Sequence, residues 1–431
     1  MLEIFAGGVS SGSIERNRRM RHHKWQRVAL GLVMVASLSI AARCAGTASE
    51  VTLTPRQEPI PPSYFSMNIL FHPKNRVPWP TVALGGWRTS HVNWADLQPE
   101  RNRWYFDLLD KYVDWSVAHH LDILMPLTYT PRWASSTPDA PTDVEQGNPP
   151  GLSGPPRDMN DWRVFVSTIA TRYKGRIHNW EIWNEPNRGK SWTGDVDTMV
   201  EMTREAHEIL KKIDPTCVVV SPAATERSGL PFLSAFLTRG GGKYADVIGY
   251  HFYVGDEYPE VMVSLIQQVQ TMMQRAGVGD KPLWDTEAGW LKPPPLPPAV
   301  AAAYVARAYI LNWAAGVSRL YWFAWEAHGL KINLTQADNA SLTPAGTAFA
   351  EIQRWLTGAV MGQCASSPDG LWVCELRQKG MTTHIVWAVE GNQAFSVPGS
   401  WHARSCSNLA GNDEPFERSS VEIGAEPMLI H

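Results

Sequence analysis

Eight short apolar runs recur along the chain, each closing on polar or aromatic residues: YFSMNIL (64–70), VALGGWR (82–88), DILMPLTY (122–129), HNWEIWNE (178–185), CVVVSPA (217–223), DVIGYHFY (246–253), PLWDTE (282–287) and LYWFAWE (320–326). Runs of this length, bounded by turn residues, predict buried strands. Helical periodicity fills most of the intervals, clearest in FDLLDKYVDWSVAHHL (106–121), DWRVFVSTIATRY (161–173), TMVEMTREAHEILKKI (198–213) and AVAAAYVARAYILNWAAG (299–316). From the second run onward the spacing is roughly 30–60 residues, which accommodates a crossover helix between parallel strands. Eight strands alternating with helices predict an α/β fold, a (β/α)8 barrel over residues 49–357. A doubly wound open sheet is the second option, weakened because no GxGxxG follows the first strands. The short gap between the first two runs leaves little room for a helix.

Helical patterning stops after about Gly358. LWVCEL, THIVWAVE, AFSVP and the final EPMLI read as short strands, with Asp369–Gly370 as a turn between two of them. They predict a small β-sandwich-like domain over residues 358–431. Two loops, 134–158 after the third run, rich in proline, glycine and aspartate, and the proline-rich 291–298 after the seventh, fall on the barrel's C-terminal face. There they read as a substrate rim or as inert insertions.

The N-terminus is set apart from the fold. Arg16, Arg18, Arg19, Arg21, Lys24 and Arg27 precede an uncharged apolar stretch, Val28–Ala42, and Gly46 and Ala48 sit at the −3 and −1 positions of a peptidase site. Fifteen apolar residues fall short of the roughly 20 needed to span a bilayer. Residues 1–48 therefore read as a secretory signal peptide, and the mature protein as periplasmic or secreted. An uncleaved membrane anchor is the alternative; lipidation at Cys44 suits the preceding Arg43 poorly. Residues 1–48 hold seven of the 39 Lys and Arg and two of the 42 Asp and Glu, so their removal takes the formal charge from −3 to about −8. That balance argues against nucleic acid or an anionic membrane as a partner, and no protein partner is predicted. Of the remaining cysteines, Cys364 and Cys374 are the best candidate disulfide, Cys217 reads as a buried free thiol, and Cys406 is unassigned. No spacing suggests a metal or other cofactor. Twenty tryptophans suit a protein that stacks aromatic rings on sugar faces.

Three carboxylates fall at strand ends: Glu185 after run four, Glu287 after run seven and Glu326 after run eight. Strict alternation in run four places Glu181, Trp183 and Glu185 on one face and Trp180, Ile182 and Asn184 on the other. Glu181 then lies deep and pairs with an interior arginine or histidine, while Glu185 reaches the barrel mouth beside Pro186 and is the reactive one. Paired carboxylates from different strand ends are what glycoside hydrolysis requires.

WNEPN (183–187), together with WDTEAGW (284–290), resembles clan A of the retaining glycoside hydrolases. YTPRWAS (129–135), WEIWNEPN and the β-rich tail ending EPMLI resemble family 39 within it. The resemblance covers residues 62–431 and implies roles residue by residue. Asn184 is implied as the sugar-contacting amide, Glu185 as the acid/base and Glu287 as the nucleophile. Arg88 resembles the arginine that holds the nucleophile ionised, although pairing with Glu181 alone would also account for it. His251 and Tyr253 resemble the aromatic cluster of strand six, and Trp325 the sugar platform, with Trp322 as the alternative. Trp133 is a candidate subsite residue. Retention, a raised Glu185 pKa and a carboxyl separation of about 5–5.5 Å are expected. The implied activity is hydrolysis of O-glycosidic bonds in a poly- or oligosaccharide, with a bacterial exopolysaccharide among the candidates. A transglycosylase and a non-catalytic carbohydrate-binding matrix protein on the same barrel are the alternatives.

Overall fold

The computed structural model describes residues 50–70, 78–90, 92–142, 149–326, 328–415 and 419–431. The export signal read at 1–48 and six residues of loop 134–158 lie outside them.

A three-residue strand, β1 (Val51–Leu53), comes first. The barrel strands follow: β2 (Phe65–Ile69), β3 (Gly86–Thr89), β4 (Asp122–Leu127), β5 (Asn179–Ile182), β6 (Val218–Val220), β7 (Ala224–Thr225), β8 (Ile248–His251), β9 (Leu283–Ala288) and β10 (Val317–Phe323). All pair in parallel, in the order β6-β5-β4-β3-β2-β10-β9-β8-β7. β6 and β7 are two halves of the fifth barrel strand, interrupted around Pro222, which has no N–H to give to a ladder. A parallel bridge from Val220 to Val247 links the two ends and closes the ring. All eight apolar runs became strands, and the fold is the expected (β/α)8 barrel.

The helices are α1 (Trp94–Leu97), α2 (Asp107–Ala118), α3 (Met159–Arg172), α4 (Val196–Ile213), α5 (Leu230–Thr238), α6 (Val261–Arg275), α7 (Pro298–Ala314) and α8 (Pro344–Leu356). Side chains satisfy several of their first free N–H groups: Asp158 accepts from Asn160, Asp195 from Thr198 and Thr343 from Gly346. α7 is buried almost all round, because the helices beside it and the C-terminal domain cover it. Leu124, Val220, Val247, Trp284 and Tyr321 fill the barrel interior. The larger apolar cluster lies between strands and helices. This packed plug makes the interior a floor beneath the C-terminal mouth, where barrels of this kind carry their sites.

The C-terminal strands are β11 (Val360–Ser366), β12 (Leu371–Gln378), β13 (Met381–Ala388), β14 (Gln393–Ser396), β15 (Ser405–Ser407), β16 (Asp413–Pro415), β17 (Ser420–Ile423) and β18 (Met428–Ile430). They form a seven-stranded sheet, β1-β11-β12-β13-β18-β15-β16, and a two-stranded one, β14-β17. The sequence reading placed residues from 49 onward in the barrel. Instead Val51–Leu53 run antiparallel to Cys364–Ser366, and the barrel starts at β2. Cys364 and Cys374 sit opposite each other on β11 and β12 and are bonded, whereas Cys217 and Cys406 are buried free thiols. The domain grips the barrel through the loop after β8. Trp387 donates to Glu260 at 2.8 Å, Tyr258 donates to Glu390 at 2.7 Å, and fully buried Arg307 pairs with Glu260.

Loop 134–158 folds back on itself through a Ser135–Pro156 bridge, and its Ser153 carbonyl accepts from Thr193 at 2.9 Å. It therefore braces the turn that follows β5. Gly151 is required there: its φ is +93°, and a Cβ would lie 2.3 Å from the Pro138 carbonyl oxygen.

Two buried acids leave a signature in stability. Burial pushes Asp285 up to about 7, despite a hydrogen bond from the Phe252 N–H and the nearby charge of His251. Burial likewise pushes Asp96 up to about 6, against its capping bonds with Asn93. Both values lie above the unfolded-state value of about 3.9, so the folded protein binds these protons more tightly. Their contribution is complete below about pH 4 and is lost as pH rises through 6 and 7. Thermal melts should accordingly show the Tm of Asp285→Asn gaining on that of the wild type as pH rises from 4 to 7.

Candidate active site

Arg88, at the end of β3 and only 4% exposed, is the hub of the barrel mouth. Its Nε donates to Glu181 Oε2 at 2.7 Å, Nη1 to Glu287 Oε2 at 2.9 Å and Nη2 to Asn184 Oδ1 at 2.7 Å. Burial opposes its charge, but Glu181 and Glu287 outweigh burial and hold the guanidinium proton more firmly than usual. The two sequence readings of Arg88, partner of Glu181 or partner of Glu287, are both realised at once.

The strand alternation does not continue past Ile182. Trp183 and Glu185 both take positive φ, +65° and +48°, a region that costs a side-chain-bearing residue on the order of 1–3 kcal/mol. The chain is held there by the Glu185 N–H donating to the Ala223 carbonyl at 2.9 Å. Asn184 consequently joins Glu181 at Arg88 instead of facing the opposite side. Trp183 turns to pack edge-on against Trp192, 4.8 Å between ring centroids, and donates its Nε1 proton to the Ser191 carbonyl. Glu185 is delivered to the mouth.

Glu185 Oε1 lies 3.1 Å from His251 Nδ1, and Oε2 lies 3.1 Å from Arg188 Nε. The raised pKa expected for Glu185 is not found. Burial alone would raise it, but the hydrogen bond and charge of His251 and the charge of Arg188 bring it below the ordinary value. His251 is shifted upward: burial disfavours its charge, and the facing Glu287 and Glu185 carboxylates overcome this. The proton of this pair therefore rests on the imidazole. Tyr253 donates to Glu287 Oε1 at 2.8 Å, and burial and the facing carboxylates keep its hydroxyl protonated.

Glu185, His251 and Glu287 each bring one atom to within 4.8 Å of the others. A dication between them would face two guanidinium groups, Arg88 on Glu287 and Arg188 on Glu185, so the arrangement suits an acid/base and nucleophile pair. A cavity of about 310 Å³ opens above it, lined by Arg88, Asn184, Glu185, Arg188, Tyr253 and Glu287, with Tyr129, Leu291 and Phe323 among the flanking walls.

Four of the six residues expected to bind substrate sit on this cavity or in its network: Arg88, Asn184, Tyr253 and, behind Glu185, the fully buried His251. The two tryptophans do not line it. Trp325 is fully buried, because β10 ends at Phe323 and the chain then turns inward to bond Asn68 and Thr335. Trp322 is buried against Trp290 and Tyr309. Trp133 packs against Trp94 under the Arg101 guanidinium and donates to the Gln98 carbonyl. The aromatic walls come from Tyr129 and Phe323. Tyr129 closes the third apolar run, a signal available in the sequence, but one that gives no cue to its positive φ of +60°.

Residues 81–347 match the pattern of glycosyl hydrolases family 39. The chain belongs to this family. A family 39 glycoside hydrolase from the gut symbiont Bacteroides cellulosilyticus WH2 superposes with a TM-score of 0.69 at 16% identity, covering 87% of this chain and 81% of that one. A family 39 beta-xylosidase from Caulobacter crescentus gives 0.62 at 13% identity, covering 88% and 98%. At such identities the likeness carries the fold, barrel and β-domain together. In sequence, Endo-1,4-beta-xylanase C of Paenibacillus barcinonensis is 23% identical over 207 residues, 42% of this chain. The chain matches about 18% of the length of that relative.

Proposed function

We propose that this chain is an exported retaining glycosidase that hydrolyses O-glycosidic bonds of a poly- or oligosaccharide by double displacement. The observation that carries this reading is the approach of Glu185 and Glu287, one oxygen of each within 4.8 Å. Inverting pairs stand about 6.5–9.5 Å apart to admit a water, whereas retaining pairs stand about 5–5.5 Å apart.

In the first step Glu287 attacks the anomeric carbon, and the bond to the leaving oxygen breaks as that oxygen takes a proton from Glu185. Arg88 and Tyr253 hold the Glu287 carboxylate on its two oxygens and so fix the direction of attack. The proton reaches Glu185 from His251 across their 3.1 Å contact as the incoming sugar excludes water from the pair. In the second step water attacks the glycosyl-enzyme, Glu185 takes its proton, and the Glu287–sugar bond breaks with net retention.

Beta-xylosidic chains are the first substrates to assay, in keeping with the names of the relatives, and bacterial exopolysaccharides the second. Product NMR at early times should show the anomer of the substrate forming first; the opposite anomer would overturn double displacement. Chain exchange in place of hydrolysis would mark a transglycosylase. Export rests on the basic and apolar pattern of residues 16–48. N-terminal sequencing of the native protein, beginning at Ser49, is its test.

A further inference from the structure

The double displacement proposed above requires Glu185 to alternate between acid and base, and its two ion-pair contacts favour only one of those states. Both of its oxygens are occupied: Oε1 by His251 and Oε2 by Arg188. A carboxylic acid proton does not sit comfortably on an oxygen 3.1 Å from a guanidinium. The proton that His251 hands to Oε1 is held less firmly while a guanidinium bonds Oε2, so Arg188 works against the acid form until it leaves.

The surroundings allow that movement. Arg188 follows the acid by three residues, on the turn that loop 134–158 braces, and its side chain is 43% exposed at the cavity edge. Its Nη2 already reaches a second carboxylate, Glu226 Oε1, at 3.1 Å. The Glu226 backbone is fixed on both sides: its N–H donates to the His251 carbonyl, and its carbonyl accepts from the Tyr250 hydroxyl. Its φ of +57° turns the side chain out of the β7 strand line. Glu226 is thus a stationary partner toward which Arg188 can pivot without giving up an ion pair.

We propose that Arg188 is a positioning residue for the proton-transfer carboxylate, resting on Glu185 when the leaving-group side of the cavity is empty and passing to Glu226 when a sugar occupies it. With the sugar bound, Glu185 is free to carry the proton. After that sugar departs, Arg188 returns and favours the carboxylate, the form needed to deprotonate water. The other charged or titratable groups about Glu185 are His251 and Tyr253 from the β8 end, Glu287 from β9, Arg88 from β3 through Asn184, and Tyr129 on the opposite wall.

The test needs no substrate. Titration of carboxyl-13C-glutamate-labelled enzyme by NMR, with Glu185→Gln identifying the resonance, reads the Glu185 midpoint directly. Arg188→Gln should raise the midpoint, and Arg188→Lys should keep it near the wild type, since removing an adjacent opposite charge favours the neutral acid. A purely structural arginine would leave the midpoint of a folded Arg188→Gln variant unmoved, and that result overturns the proposal. Glu226→Gln decides between a pivot and a simple anchor. If Glu226 competes for Arg188, its loss tightens Arg188 on Glu185 and the midpoint falls; a rise shows Glu226 to be only an anchor and overturns the pivot. Should the midpoints move as stated while Glu185→Gln retains full turnover, the acid/base assignment fails and the Arg188 coupling stands.

Discussion

Glu287→Gln should abolish turnover while leaving the protein folded. The side chain is the proposed nucleophile, and an amide cannot form the glycosyl ester, so a loss on the order of 10⁴-fold or more in kcat is expected. The fold survives because the Gln carbonyl can still accept from Arg88, and Glu181 remains to neutralise the guanidinium. Glu185→Ala should behave differently. It removes the proton donor, so substrates with poor leaving groups lose on the order of 10²–10⁴-fold, whereas an activated dinitrophenyl glycoside loses far less in its first step. Added azide should then restore turnover by attacking the glycosyl-enzyme in place of base-activated water, and should do nothing for Glu287→Gln. Equal losses on both classes of substrate, or a glycosyl azide of retained configuration from the Glu287 variant, would exchange or cancel the two roles.

The largest effect on stability should come from Arg88→Met. The substitution leaves Glu181, fully buried, and the mostly buried Glu287 without their shared cation. Breaking a buried ion pair by deleting one partner costs about 3–5 kcal/mol, because the surviving charge stays desolvated. Denaturant unfolding should show the loss as a lower midpoint at unchanged slope. Arg88→Lys should recover little of it, since an ammonium cannot span three acceptors in the fork geometry of a guanidinium. Pairing Arg88→Met with Glu181→Gln should return part of the lost stability, as the deepest uncompensated charge is removed. If the double variant is no more stable than the single, the cost lies in packing around Arg88 and not in charge.

The strands were legible because a buried barrel strand is a short apolar run, and eight of them are hard to mistake. Helices α5, α6 and α8 were less plain in the sequence, as their apolar faces are broken by glutamine, proline and glycine. At the site, positions at strand ends were readable, but side-chain direction was not. Alternation assumes extended backbone, and the left-handed turns at Trp183 and Glu185 break it. For the same reason Asn184 and Glu181, assigned to opposite faces, meet on one arginine. Trp325 was misplaced by two residues' worth of chain: β10 ends at Phe323, and the polypeptide beyond it folds inward. The lowered proton affinity of Glu185 depends on Arg188 and His251, which converge from separate elements. No local pattern carries such a sum of charges.

The pairing of β1 with β11 has a bearing on how the chain folds. Val51 bonds Ser366 across 315 residues of sequence, so this ladder cannot form until nearly the whole barrel has been made. Contacts of such separation come late, since the loop they close must be ordered first. In a chain delivered from its N-terminus, Val51–Leu53 emerge before any barrel strand and pair only after the last of them. A protein cut after residue 357 would present β1 as an unmatched edge, and one cut before residue 54 would expose β11 in the same way. β1 and β11 form a latch that fastens only over a completed barrel.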